Sequence, residues 1–170
     1  MIKRNFTSKD KEIMIPLYKS LVRPRLDFYI QACRPHYQKD IDRLEKVQRR
    51  MTKLVNGLID VPYEERLKRL RLTRFETRMI RADLIEVYKI FHGLDRLEAD
   101  KFFKMSGLAT RGHSYKLFKE GCTKDVGKFK FSNRICDEWN MLREETVSAP
   151  SLNTFKAKLD HHLRNTRGFT

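Results

Sequence analysis

Several things are scarce in this 170-residue chain, and each scarcity excludes something. Three cysteines, Cys33, Cys122 and Cys136, are an odd number at unrelated spacings, which argues against a secreted disulfide scaffold and for free thiols. No apolar run approaches the roughly 18 residues of a membrane span. The opening Met1-Ile2-Lys3-Arg4-Asn5-Phe6 has no apolar stretch behind its charges, so it does not read as a signal peptide. A nuclear or cytoplasmic chain that is not secreted is the expectation. Asp-Asp pairs are missing altogether, and Gly107 and Gly112 do not match a phosphate-binding glycine loop. Internal repeats and low-complexity tracts are absent as well.

What the chain has in abundance is positive charge: 37 Lys and Arg against 22 Asp and Glu, a net of +15. Such an excess favours a polyanionic partner, nucleic acid first and an anionic membrane surface second. Residues 1–57 hold 14 basic and 6 acidic residues, and residues 58–170 hold 23 and 16, so the first third is the denser.

Apolar residues recur mostly at helical spacing. Thr7-Ser8-Lys9-Asp10 reads as a capped helix start, followed by Ile13, Met14, Leu17, Tyr18, Leu21 and Val22. Pro16 predicts a kink or late start there, and Pro24 opens a short segment carrying Leu26 and Ile30. From Asp40 to about Asn56 a third helix is expected, with Gly57 as its stop. Its apolar stripe is Ile41, Leu44, Val47, Met51, Leu54 and Val55, and its other side carries Arg43, Lys46, Arg49, Arg50 and Lys53, tempered by Asp42 and Glu45. Pro62, Glu64 and Glu65 start a short helix, and Thr73-Arg74-Phe75-Glu76 caps a long one that Gly93 stops. Beyond 106, glycines break the pattern. His113–Lys119 and Val126–Phe131 suggest a small hairpin, before helices carrying Ile135, Trp139 and Leu142 and, after Ser151, Leu152, Phe155, Leu159 and Leu163. The expected fold is mainly α: a helical bundle with a small α+β C-terminal part, divided as 1–57, 58–105 and 106–170.

Two stretches carry a family resemblance. Leu21-Val22-Arg23-Pro24-Arg25-Leu26-Asp27-Phe28, continuing through Ile41-Asp42-Arg43-Leu44-Glu45-Lys46-Val47-Gln48-Arg49-Arg50, resembles the segment after the palm in reverse transcriptases of jockey-like non-LTR (LINE-type) retrotransposons. Arg111-Gly112-His113, Phe131-Ser132-Asn133-Arg134, Trp139-Asn140 with Leu142, and Ala149-Pro150-Ser151 with Phe155-Lys156 resemble the C-terminal tail of the same polyproteins. The chain departs from the family pattern at Phe28, Cys33 and Arg143. The resemblance implies a thumb-like bundle of an RNA-directed DNA polymerase, with Met1 at a position interior to the parent reading frame. It also implies that the chain alone is inactive, because the family's aromatic-x-Asp-Asp metal loop is missing. Arg43, Lys46, Arg49, Arg50 and Lys53, extended by Arg23, Arg25 and Arg34, would then rest on the backbone of RNA or an RNA–DNA duplex without reading sequence. The missing palm is a further partner. No catalytic residue, metal, cofactor, membrane or small-molecule substrate is expected.

Other constellations are weaker. Cys33 and His36 form a single Cys-x-x-His pair, where zinc sites show two such pairs. His113 with Ser114 suggests a hydrolytic pair but lacks a nucleophile elbow, and Trp139 and Phe131 are commoner as core than as base-stacking platforms. A captured protein-interaction module, or a transposon remnant without a selected role, are the alternative readings.

Overall fold

The computed structural model describes residues 8–28, 34–107 and 112–167. The expectations placed on Thr7, Ile30, Cys33 and Arg111 lie outside the described residues. The protein is mainly α. Its helices are α1 (Lys11–Leu17), α2 (Arg23–Asp27), α3 (Gln38–Leu54), α4 (Tyr63–Leu70), α5 (Phe75–Phe91), α6 (Ala99–Phe102), α7 (Asp125–Phe129), α8 (Phe131–Arg134), α9 (Cys136–Asn140), α10 (Glu144–Val147) and α11 (Leu152–Arg167). The chain separates into two compact units, with the boundary between Arg78 and Met79. The sequence reading drew its lines at 57 and 105 instead.

In the first unit, α1 begins at Lys11 with Asp10 at its N-cap position, later than a Thr7 start. Pro16 lies inside α1, and the chain runs on through a widened π-helical turn, Tyr18–Val22, into α2. That turn ends two residues before Pro24 and contains the carbonyl four residues back from it, at Ser20, which the proline ring, itself without an N–H, would crowd, so a wider turn accommodates it. Met14, Tyr18, Met51, Val55, Leu58, Leu67, Leu70 and Leu72 form the core of this unit. Asn56 closes the far end of α3 onto the start of α1: its amide donates to Asp10 Oδ1 at 3.0 Å and its backbone N–H to the Lys9 carbonyl at 3.0 Å.

Helix α4 ends on Arg71, whose φ of 50° is left-handed. Leu72 N–H reaches back to the Leu67 carbonyl (2.9 Å) and Arg71 N–H to Lys68 (3.1 Å), the paired bonds of a left-handed helix stop. A side chain there is strained where glycine is not.

In the second unit, Trp139, Ile135, Phe155, Leu159, Leu163, Tyr88 and Val147 are buried at the centre. Tyr88 stacks on Phe155 at 4.2 Å and donates its hydroxyl to the Ala149 carbonyl at 2.6 Å. Ser151 caps α11 by accepting from the Thr154 N–H at 3.2 Å. Asp83, fully buried, receives Nε and Nη2 of Arg134 at 3.0 Å each.

The hairpin expected over His113–Lys119 and Val126–Phe131 does not form: Asp125–Phe129 is helical, and so is the segment from Phe131. Segment 113–122 is held instead by two amide side chains that imitate a strand partner. Asn140 accepts from Leu117 N–H (2.8 Å) and donates to its carbonyl (2.9 Å), and Asn133 does the same for Glu120 (3.0 Å each). Seven residues apart, the two amides lie on one side of α8–α9 and supply the bonds a second strand would have made. Pairing between backbones is reduced to one antiparallel bridge, Met105 with Leu117.

Two outcomes follow for stability. Arg71→Gly relieves the left-handed strain and raises the unfolding free energy by about 1 kcal/mol in a denaturant titration. Asp83→Ala strands the buried Arg134 guanidinium and lowers it by about 3–4 kcal/mol.

Candidate nucleic-acid interface

Helix α3 supplies the most cationic surface of the first unit. With about 100° between successive residues, Lys39, Arg43, Lys46, Arg49, Arg50 and Lys53 fall within an arc of about 120°. All six are exposed. Acidic residues do little to neutralise the arc. Asp40 holds Arg43 at 3.2 Å, and Asp42, within the arc, accepts from Gln38 at 3.0 Å. Lys46, Arg50 and Lys53 have no carboxylate partner among the described residues. Arg49 lies over the Tyr63 ring, 4.8 Å from its centroid.

The remaining sequence candidates are placed differently. Arg23 is half-buried and bound to Asp27 at 3.2 Å, so its charge is shared with a carboxylate. Arg25 is exposed on α2, and Arg34 is half-buried. Lys39 was not among the candidates, although it continues the spacing of Arg43 and Lys46 by one turn.

On the opposite side of α3 most of the apolar stripe read from the sequence is inward: Ile41, Met51 and Val55 are buried and Leu54 packs on the core. Val47 is 39% exposed, whereas Glu45, Gln48 and Thr52 are buried between Ile41 and Val55. Hydrophobicity alone misplaced Val47 and missed the buried polar positions beside the stripe. Positions 41, 45, 48, 52 and 55 keep strict helical spacing, and that line is polar in its middle.

Gln48, at 0% exposure, uses its whole amide. Its oxygen accepts from the Tyr18 hydroxyl (2.7 Å) and Arg78 Nη1 (2.6 Å), and its nitrogen donates to the Tyr63 hydroxyl and the Thr73 carbonyl (3.0 Å each). Glu45 accepts from the Tyr63 hydroxyl and, at 2.7 Å, from the Phe75 N–H at the start of α5. An acidic residue thus meets the positive end of a helix. Far from tempering the cationic face, Glu45 points away from it. The buried Arg78 binds Asp27 at 3.0 Å, and the buried Arg66 donates to Thr52 Oγ1 at 3.0 Å and the Val61 carbonyl at 2.5 Å. The cationic face is therefore carried on a helix whose rear is fastened by directional bonds to the turn at Tyr18, to α4 and to α5, with Arg78 of α5 reaching on to Asp27.

Burial, with the Glu45 carboxylate beside it, drives the Tyr63 phenol well above its ordinary value, and burial raises Tyr18 too. In the second unit the lysines at positions 104 and 130 hold the Glu120 carboxyl down to about 2.

The other constellations do not assemble. His113 donates Nε2–H to the Trp139 carbonyl at 2.9 Å, while Ser114 donates both its N–H and its hydroxyl to Glu144 (2.7 and 3.1 Å), so the imidazole does not face the hydroxyl and the expected pair does not assemble. Trp139 is buried at 0% exposure and donates to the Tyr115 carbonyl at 2.8 Å, so it is core and not a stacking platform. Cys33 lies outside the described residues. Among the described residues no three His, Cys, Asp or Glu side chains gather as a metal-holding group, and no helix is long and apolar enough to cross a membrane.

No protein-family model, curated protein or solved structure matches the chain.

Replacing Gln48 by leucine deprives Tyr18, Arg78 and the Thr73 carbonyl of buried partners and costs about 3 kcal/mol on chemical denaturation. Alkaline pH acts on the same network. Folded-state values of Tyr18 and Tyr63 lie above the unfolded value near 10, so their contribution is complete below pH 10 and is lost as pH rises beyond it. Tyr63→Phe flattens that alkaline decline in a stability-versus-pH series.

Proposed function

We propose that the chain grips the sugar-phosphate backbone of a nucleic-acid duplex through α3, in the manner of the thumb of a non-LTR reverse transcriptase. The observation that carries this reading is the exposed cationic arc, Lys39 to Lys53, on a helix whose rear is fixed by Glu45 and Gln48. A fixed helix presents its charges without the entropy loss of ordering them on contact. Arginine's planar fork suits phosphate oxygens, and contacts of this kind position a duplex without reading its bases. The resemblance supplies the identity of that duplex, an RNA–DNA template–primer, and of the parent activity, RNA-directed DNA polymerisation. Within this chain the chemistry is binding alone, driven by counterion release.

Exposed Leu21 and Phe28 favour a second reading, in which the α1–α2 side packs on a protein such as a palm domain.

The first reading is tested by fluorescence anisotropy with RNA–DNA duplexes of unrelated sequence. Five phosphate contacts give a slope of about −4.5 in log affinity against log salt, an approximately 500-fold loss between 50 and 200 mM. Reversing Lys46, Arg50 and Lys53 to glutamate weakens all duplexes alike and flattens the slope by at least about 2.7. Binding that ignores salt and these reversals overturns the reading, and a protein partner retained at high salt after nuclease treatment supports the second.

A further inference from the structure

A second concentration of charge lies in the second unit. Residues 101–130 carry eight Lys and Arg against two acids, a net of +6, while the whole of 58–170 has a net of +7. Nearly all the excess of the last two thirds is thus packed into 30 residues. The same residues hold exposed aromatic surface: Phe118 is 54% exposed and Phe102 39%. The fold brings both phenylalanines and three of the eight cations into one cleft of the second unit, lined by Phe102 and Phe118 together with Lys101, Lys104 and Lys130. Asp100 and Glu120 are its acids. Lys101 is paired with Glu98 at 3.0 Å, an exposed pair that water and salt screen.

Glu120 is the informative member. It sits between Lys104 and Lys130, 2.7 Å from each ammonium, and its backbone is fixed by Asn133. Two lysines around one oxyanion make the arrangement that a phosphate also takes. The cleft thus pairs a two-ammonium anion seat with open aromatic faces.

We propose that this cleft binds an unpaired nucleic-acid strand, with bases stacked on Phe118 and Phe102 and phosphates drawn to Lys104 and Lys130, where Glu120 acts as an internal competitor. Aromatic faces reach bases only when these are unstacked from a partner strand, which selects single strands over duplexes. The charge of the segment favours a polyanion over an apolar protein surface. The cleft shares no residue with α3, so the two readings stand or fall separately.

The test is anisotropy of the full chain with labelled oligo(U) and oligo(dT), and with a blunt duplex, at fixed salt. Phe118→Ala and Phe102→Ala each weaken single-strand binding by about tenfold and leave duplex binding unchanged. Glu120→Gln, which keeps the side chain's shape, tightens single-strand binding several-fold and steepens its salt slope by about 1.4, as two lysines gain phosphates at about 0.7 each. Lys104→Gln in that background reverses about half of the gain. Circular dichroism melts confirm that each variant is folded. The proposal is overturned if Glu120→Gln leaves affinity unchanged or lowers it, or if the phenylalanine changes affect neither strand type. It is likewise overturned if the cleft variants instead abolish capture of a protein that survives high salt and nuclease.

Discussion

One amide decides the arrangement of the first unit. Gln48 is fully buried and fills each of its four hydrogen-bonding positions with a group from a different segment: Tyr18, Tyr63, the Thr73 carbonyl and Arg78. Apolar packing tolerates sliding by a fraction of a turn, because dispersion and burial are not directional. A network whose every member must be matched does not, since a slip of one residue leaves several polar groups buried and unpaired. The orientation of α3, and hence the direction in which its lysines and arginines face, follows from that constraint.

The second unit solves a related problem with the same side-chain chemistry. Segment 113–122 is extended backbone beside helices, and no strand runs along it among the described residues. Asn133 and Asn140 each offer one donor and one acceptor at the spacing of a peptide group, so the segment is fastened as though paired in a sheet. Asn133 thereby fixes Glu120 near Lys130, while the Phe118 N–H, donating to the Lys104 carbonyl at 2.7 Å, ties Phe118 to the segment that carries Phe102. In both units, side-chain amides, with Gln48 and Asn133 buried and Asn140 half-buried, hold the backbone from which the exposed cations project.

The two surfaces proposed above ask for little else. Phosphate recognition is largely a matter of delivering positive charge along a line, and stacking needs only an open ring face. A helix arc dense in arginine suits the regular backbone of a duplex, whereas lysines around exposed rings suit a strand whose bases are free. The two proposed surfaces divide the positive charge between different geometries.

The sequence by itself determined the mainly helical character, the starts near Pro62 and Ser151, the stop at Gly93 and the cationic side of α3, because each depends on spacing or on a neighbour within a few residues. The rear of α3 was partly legible, since 41, 45, 48, 52 and 55 share a helical line, but a polar residue on such a line signals burial only once its partners are known. Those partners come from 15 to 30 residues away (Tyr63, Thr73, Tyr18, Arg78), and only the tertiary structure brings them together. The same holds for 126–131, where alternating Phe129 and Phe131 favoured a strand. With Asn133 and Asn140 already satisfying segment 113–122, no strand partner was required, and the residues formed helix instead.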